Sequence, residues 1–145
     1  MGRRSKGFTL PEVLVALAVL AVLLAILLPR VGGALRSRQA ADAPKKVAAL
    51  IRTASSMAAS QEAYVEVVHD PVKGRVYLRR SEASSGPFLD LGPAFQVSLP
   101  PGTAVAPSGF SLRFNPAGLL EAPSYPVKVT VGPRTLSVSR WGDVE

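Results

Sequence analysis

An unbroken apolar run near the N-terminus constrains this chain more than any other feature. Across residues 8–28 only Thr9, Pro11 and Glu12 are not plainly apolar. As a helix rising about 1.5 Å per residue, the run covers roughly 30 Å, the hydrocarbon thickness of a bilayer. Arg3, Arg4 and Lys6 precede it, and basic residues ahead of a span hold that end in the cytoplasm. Several ordinary readings compete. A secretory signal peptide would have a shorter apolar core followed by small residues, whereas this run ends Leu27-Leu28-Pro29-Arg30. A buried core helix does not explain uninterrupted apolarity. A plain signal anchor accounts for the length and the flanking charge but not for Glu12, because an acid inside a membrane helix is expensive to insert.

The rest of the chain, about 115 residues, suffices for one modest core but not for a large catalytic cavity. It has no cysteine, which excludes thiol catalysis, thiolate metal sites and disulfide staples. The net charge is +7, and from Arg30 onward 14 Lys and Arg stand against 9 Asp and Glu. That excess suits an anionic partner and equally a solvated surface.

Past Pro29, Gly32 and Gly33 are followed by the basic stretch 36–39, which reads as a hinge and membrane exit. Asp42-Ala43-Pro44 reads as a helix start, with Asp42 as N-cap and proline in the first turn. Val47, Leu50, Ile51, Ala54, Met57 and Ala58 then keep the spacing of an amphipathic helix ending near Gln61 or Glu62. From Tyr64 the period changes to two. Val65 and Val67 alternate with Glu66, residues 70–74 form a turn, and Val76 and Leu78 alternate with Arg75, Tyr77 and Arg79 to complete a hairpin. Residues 81–92 read as a polar loop, and further strands are expected at 95–99, 110–114, 127–131 and 136–138, separated by turn chemistry. The expected fold is α+β: a long N-terminal helix, transmembrane then amphipathic, packed on a small antiparallel β-sheet domain.

Catalytic chemistry is sparse. His69 is the single histidine, and its neighbour Asp70 would point to the opposite face of a strand, so the two form no ready dyad. There is no zinc cluster or phosphate loop, and neither metal nor cofactor is expected. One basic constellation stands out: Arg75, Arg79 and Arg80 with Tyr77 on the hairpin, joined by Arg113, Lys128, Arg134 and Arg140 from later segments. Arginines beside an aromatic suit a phosphate-tracking, base-stacking groove. They equally suit a solvated sheet face.

The string Lys6-Gly7-Phe8-Thr9-Leu10-Pro11-Glu12 resembles the class III signal of type IV prepilins and pseudopilins. That resemblance implies a leader peptide at 1–7, cleavage between Gly7 and Phe8 by a membrane prepilin peptidase, and N-methylation of Phe8. Glu12 becomes the fifth residue of the mature chain. Its implied role is to pair with the ammonium on Phe8 of a neighbouring subunit, fixing axial register. Pro11 departs from the commonest strings harmlessly, since the first four backbone N–H groups of a helix lack intrahelical acceptors. Pro29 matches a proline at which many pilin helices kink or melt. The later pattern is similar to minor pseudopilins of the GspH/FimT type, with a final strand ending near Trp141-Gly142. The implied organisation is leader 1–7, transmembrane and assembly helix 8–29, hinge and amphipathic helix 30–62, and β domain 63–145. The implied function is a non-enzymatic minor pilin or pseudopilin in a type IV pilus or type II secretion pseudopilus. Its implied place is the inner membrane, single-pass, with the C-terminal domain on the periplasmic side. Expected partners are that membrane, the peptidase and other pilin subunits, with DNA added if the chain serves a competence apparatus. The remaining alternative is a membrane-anchored β domain without a filament.

Overall fold

The computed structural model describes residues 8–145, without the side chains of 28–32, 34 and 36. Helix α1 spans Leu10–Gln61. The chain divides into two compact units between Ser37 and Arg38, and α1 contributes to both.

α1 is uninterrupted, which corrects two expectations. The helix continues through Pro29 and the two glycines after it, so no break separates residues 8–29 from residue 30 onward. Nor does it restart at Asp42. Pro44 sits inside the helix, where it lacks the N–H that would reach Ala40. That loss is offset by burial: Ala43, Pro44 and Val47 are all closed from solvent against the β domain. The turn at Gly132 comes up to the Ala40 carbonyl, and a Cβ there would lie 3.8 Å from its oxygen. Asp42 does not cap the backbone; its Oδ1 accepts a hydrogen bond from Lys45 Nζ at 3.2 Å. Downstream the expected apolar spacing holds. Val47, Leu50, Ile51, Ala54 and Ala58 are buried, with Met57 partly so. The helix stops as expected at Gln61. Glu62 takes a left-handed φ of 47°, and Ala63 N–H donates to Ala58 C=O at 3.2 Å, the hydrogen bond of a Schellman ending.

The β domain holds two antiparallel sheets rather than one. The strands are β1 (Tyr64–Asp70), β2 (Arg75–Ser81), β3 (Leu89–Asp90), β4 (Gln96–Ser98), β5 (Val105–Ala106), β6 (Ser111–Phe114), β7 (Leu120–Glu121), β8 (Val127–Val131) and β9 (Arg134–Val138). The larger sheet has the order β3-β2-β1-β6-β7, with β4 also pairing β2, and the smaller is β5-β8-β9. Phe95, expected to open a strand, instead ends the short 3-10 turn Pro93–Phe95. The 81–92 loop contributes β3, which pairs with Arg79 and Arg80 of β2.

One face of the larger sheet carries Val65, Val67, Val76, Leu78, Leu112 and Phe114, and these join the α1 residues in a single core with Val129, Val131, Leu136 and Val138 of the smaller sheet. Two close approaches fix the helix against the loops. Gly142 has a φ of 81°, and a Cβ on it would lie 2.5 Å from Ser55 Cβ; at Gly118 it would lie 3.0 Å from Ser55 O and 3.1 Å from Ala59 Cβ. Ser55 Oγ is placed to donate to Gly118 O at 2.8 Å and to Trp141 O at 3.2 Å. Arg52 closes the same side by donating to Val144 O at 2.6 Å.

Candidate assembly and membrane site

The first part of α1 is apolar on every side and covered by nothing. The segment Leu10–Leu27 has a mean hydropathy of 2.8 with none of it buried, and it is long and apolar enough to cross a membrane. Side chains so exposed require lipid or other apolar helices around them.

The start of this helix is built from Thr9 and Glu12. Val13 N–H donates to Thr9 C=O at 3.2 Å, which makes Thr9 the N-cap residue. Glu12, three positions later, reaches back. Its Oε2 accepts Thr9 N–H at 2.9 Å and Thr9 Oγ1–H at 3.1 Å. This is the backward half of a capping box, in which the acid satisfies a backbone donor that the helix cannot. Pro11 falls between them, where its missing N–H has no helical acceptor to lose. The T-x-x-E signature was present in the sequence, and it gives Glu12 a second task beside the one the prepilin resemblance implies. Oε1 of Glu12 accepts no hydrogen bond among the described residues, leaving it open to a neighbour. Phe8 is exposed; Gly7 lies outside the described residues.

The hairpin arginines are placed differently from the sequence expectation. Alternation along β2 puts Arg75, Tyr77 and Arg79 on the sheet face away from the core, as expected, but Arg80 on the other, with Val76 and Leu78. On the outer face the cations are engaged. Glu66, which alternates with Val65 and Val67, is buried on this outer face. It lies opposite Arg79 in β2 and Arg113 in β6. Arg79 Nη2 stands 2.6 Å from Glu66 Oε2 and Arg113 Nη2 3.8 Å from Oε1, while Ser111 Oγ donates to the same Oε1. Both guanidinium groups lie over Phe88, at 5.7 Å and 5.0 Å from the ring centroid, and Arg113 also donates to Ser84 O. Arg75 stacks on Tyr77 at 4.4 Å, donates to Gln96 Oε1 at 2.7 Å and reaches Asp90 at 3.4 Å. Arg80 lies 3.9 Å from Glu82. The row is therefore a cross-strand ion network that ties the 81–92 loop to the sheet. Sequence reasoning missed Glu66 because its partners come from strands whose register the sequence does not reveal.

His69 is buried at the end of β1 and Asp70 begins the turn, its Oδ1 accepting the N–H groups of Val72 and Lys73. Those bonds, Lys73's foremost, hold the Asp70 carboxyl below its ordinary range.

An apolar helix opened by Thr9 and Glu12, running into a helix packed on antiparallel sheet, gives the chain a pilin-like fold. Its residues 2–28 match the family model described as the prokaryotic N-terminal methylation motif. The fold is similar to the crystal structure of the type IV minor pilin FimU of Pseudomonas aeruginosa strain PAO1, with 18% sequence identity, a TM-score of 0.51, and coverage of 75% of this chain and 88% of that one. No curated protein sequence matches the chain.

Proposed function

We propose that the chain is a minor structural subunit of a filament of the type IV pilus class. It is cut between Gly7 and Phe8, methylated on Phe8, and stored in the inner membrane by α1 with the β domain outside the cytoplasm. The observation that carries this reading is the wholly exposed segment Leu10–Leu27, headed by the methylation motif and continuous with a pilin-like domain. Such a helix is served by lipid before assembly and by its counterparts in other subunits afterwards. Oε1 of Glu12, which accepts no hydrogen bond among the described residues, supports pairing with the Phe8 ammonium of a neighbour, an arrangement that matches a buried charge rather than leaving it alone. Ion pairing across the hairpin favours a structural role for Arg75, Arg79 and Arg80 over DNA capture, because their charge is largely matched by Asp90, Glu66 and Glu82.

Mass spectrometry of the chain from cells containing the peptidase tests the proposal. The expected N-terminus is N-methylphenylalanine at position 8. A chain still beginning at Met1 in those cells would leave only a membrane-anchored β domain.

A further inference from the structure

His69 serves neither the helix start nor the ion network, yet it is buried at the end of β1. Its backbone N–H donates to Phe110 C=O at 2.9 Å, and its ring stacks on Phe110 with centroids 5.7 Å apart. Its Nδ1 accepts the Gly109 N–H at 3.0 Å. An accepting Nδ1 requires the neutral ring with its proton on Nε2. Gly109 lies three positions after β5, the edge strand of the smaller sheet, which is itself paired to Val131 and Thr130 of β8. One side-chain nitrogen thus fastens the connection between β5 and β6 to the end of β1.

We propose that His69 is a pH-operated latch: neutral, its ring holds the turn at Gly109 against the end of β1, and protonated, it gives up that hold. Protonation places a hydrogen on Nδ1 facing the Gly109 N–H, donor against donor. The charged groups around the ring are few. Asp70 on its own strand favours the charged form. Lys73, from the following turn, lines the same cavity of about 430 Å³ together with Thr103 and Ser108. The facing segment 99–110 carries no ionisable side chain, and Lys46 of α1 lines a separate cleft with Leu99 and Pro100. Burial pushes the ring's pKa below the ordinary 6.5, with Asp70 opposing in part. Since the folded value is the lower one, the unfolded or released state takes the proton first. The latch is fully effective above pH 6.5 and weakens as pH falls from there through the folded value. The latch belongs to the β domain alone and does not depend on the filament reading.

Because the chain has one histidine, nitrogen-detected NMR of the full protein in detergent micelles reads the latch directly. The expected result is an unprotonated Nδ1 at neutral pH and a titration midpoint below 6.5. Protection of the Gly109 amide, corrected for its intrinsic pH dependence, should be lost as the pH falls through that midpoint, because the protonated ring offers its N–H no acceptor. His69→Asn supplies an acceptor oxygen near the Nδ1 position that does not titrate, so its Gly109 protection should be the same on both sides of the midpoint. A proton on Nδ1 at neutral pH would overturn the proposal. So would Gly109 exchange indifferent to the titration, or an equal acid response in His69→Asn. Should that variant fail to fold, the wild-type titration alone decides.

Discussion

Two carboxylates carry unlike burdens in this chain. Glu12 closes the first turn of α1 through Oε2, and its Oε1 accepts no hydrogen bond among the described residues. Capping and charge can be separated, because glutamine also serves at this position of a capping box. Glu12→Gln should therefore keep helix start, cleavage and insertion, yet reduce incorporation into sheared filaments as strongly as Glu12→Ala. If Glu12→Gln assembles like wild type in an immunoblot of sheared fractions, the acid is only a cap. Glu66 is closed from water between Arg79, Arg113 and Ser111. Arg79→Ala removes its nearest cation, and the expected loss is about 2 kcal/mol, below the cost of stripping a fully buried pair because Arg113 and Ser111 remain. Arg75 meets Asp90 near the surface, and Arg75→Ala should cost under about 1 kcal/mol. Urea unfolding of the two variants distinguishes them. Equal midpoints would remove the network from the account of stability.

The elements differ in how plainly the sequence announced them. The apolar period of α1 from Val47 to Ala58, its end at Gln61 and the run of β8 were all readable, because each spans several repeats of one period. The two-residue strands β3, β5 and β7 were not, since a pair of residues contains no period at all; only their partners define them. Asp42-Ala43-Pro44 carried the local signature of a helix start, and burial of Ala43 and Pro44 overrode it. The T-x-x-E box at Thr9 was legible and stood in the shadow of the prepilin resemblance. Loop-to-helix contacts lay beyond reach for another reason: nothing near Gly142 in sequence names Ser55. That contact predicts that Gly142→Ala destabilises by about 3 kcal/mol, combining a left-handed φ with a collision. A thermal melt unchanged from wild type would show that the loop shifts freely.

At the scale of the whole molecule, the boundary after Ser37 separates a part that needs apolar surroundings from a part that has its own core. A fragment from Arg38 onward should fold as a soluble monomer, since it retains Ala43, Val47, Ile51, Ala54 and Ala58 against the sheets. Circular dichroism of that fragment should show helix and strand with a cooperative melt; a disordered spectrum would mean that the β domain depends on the preceding helix. The seat of Ser55 under Gly118 and Gly142 also bears on descent. Three letters at 55, 118 and 142 share one small volume, so none is free to grow while the others stay. Among the descendants of this gene a larger residue at 142 should be found only beside a compensating change at 55, whereas one at 118 would also have to contend with Ala59 and the backbone of 55.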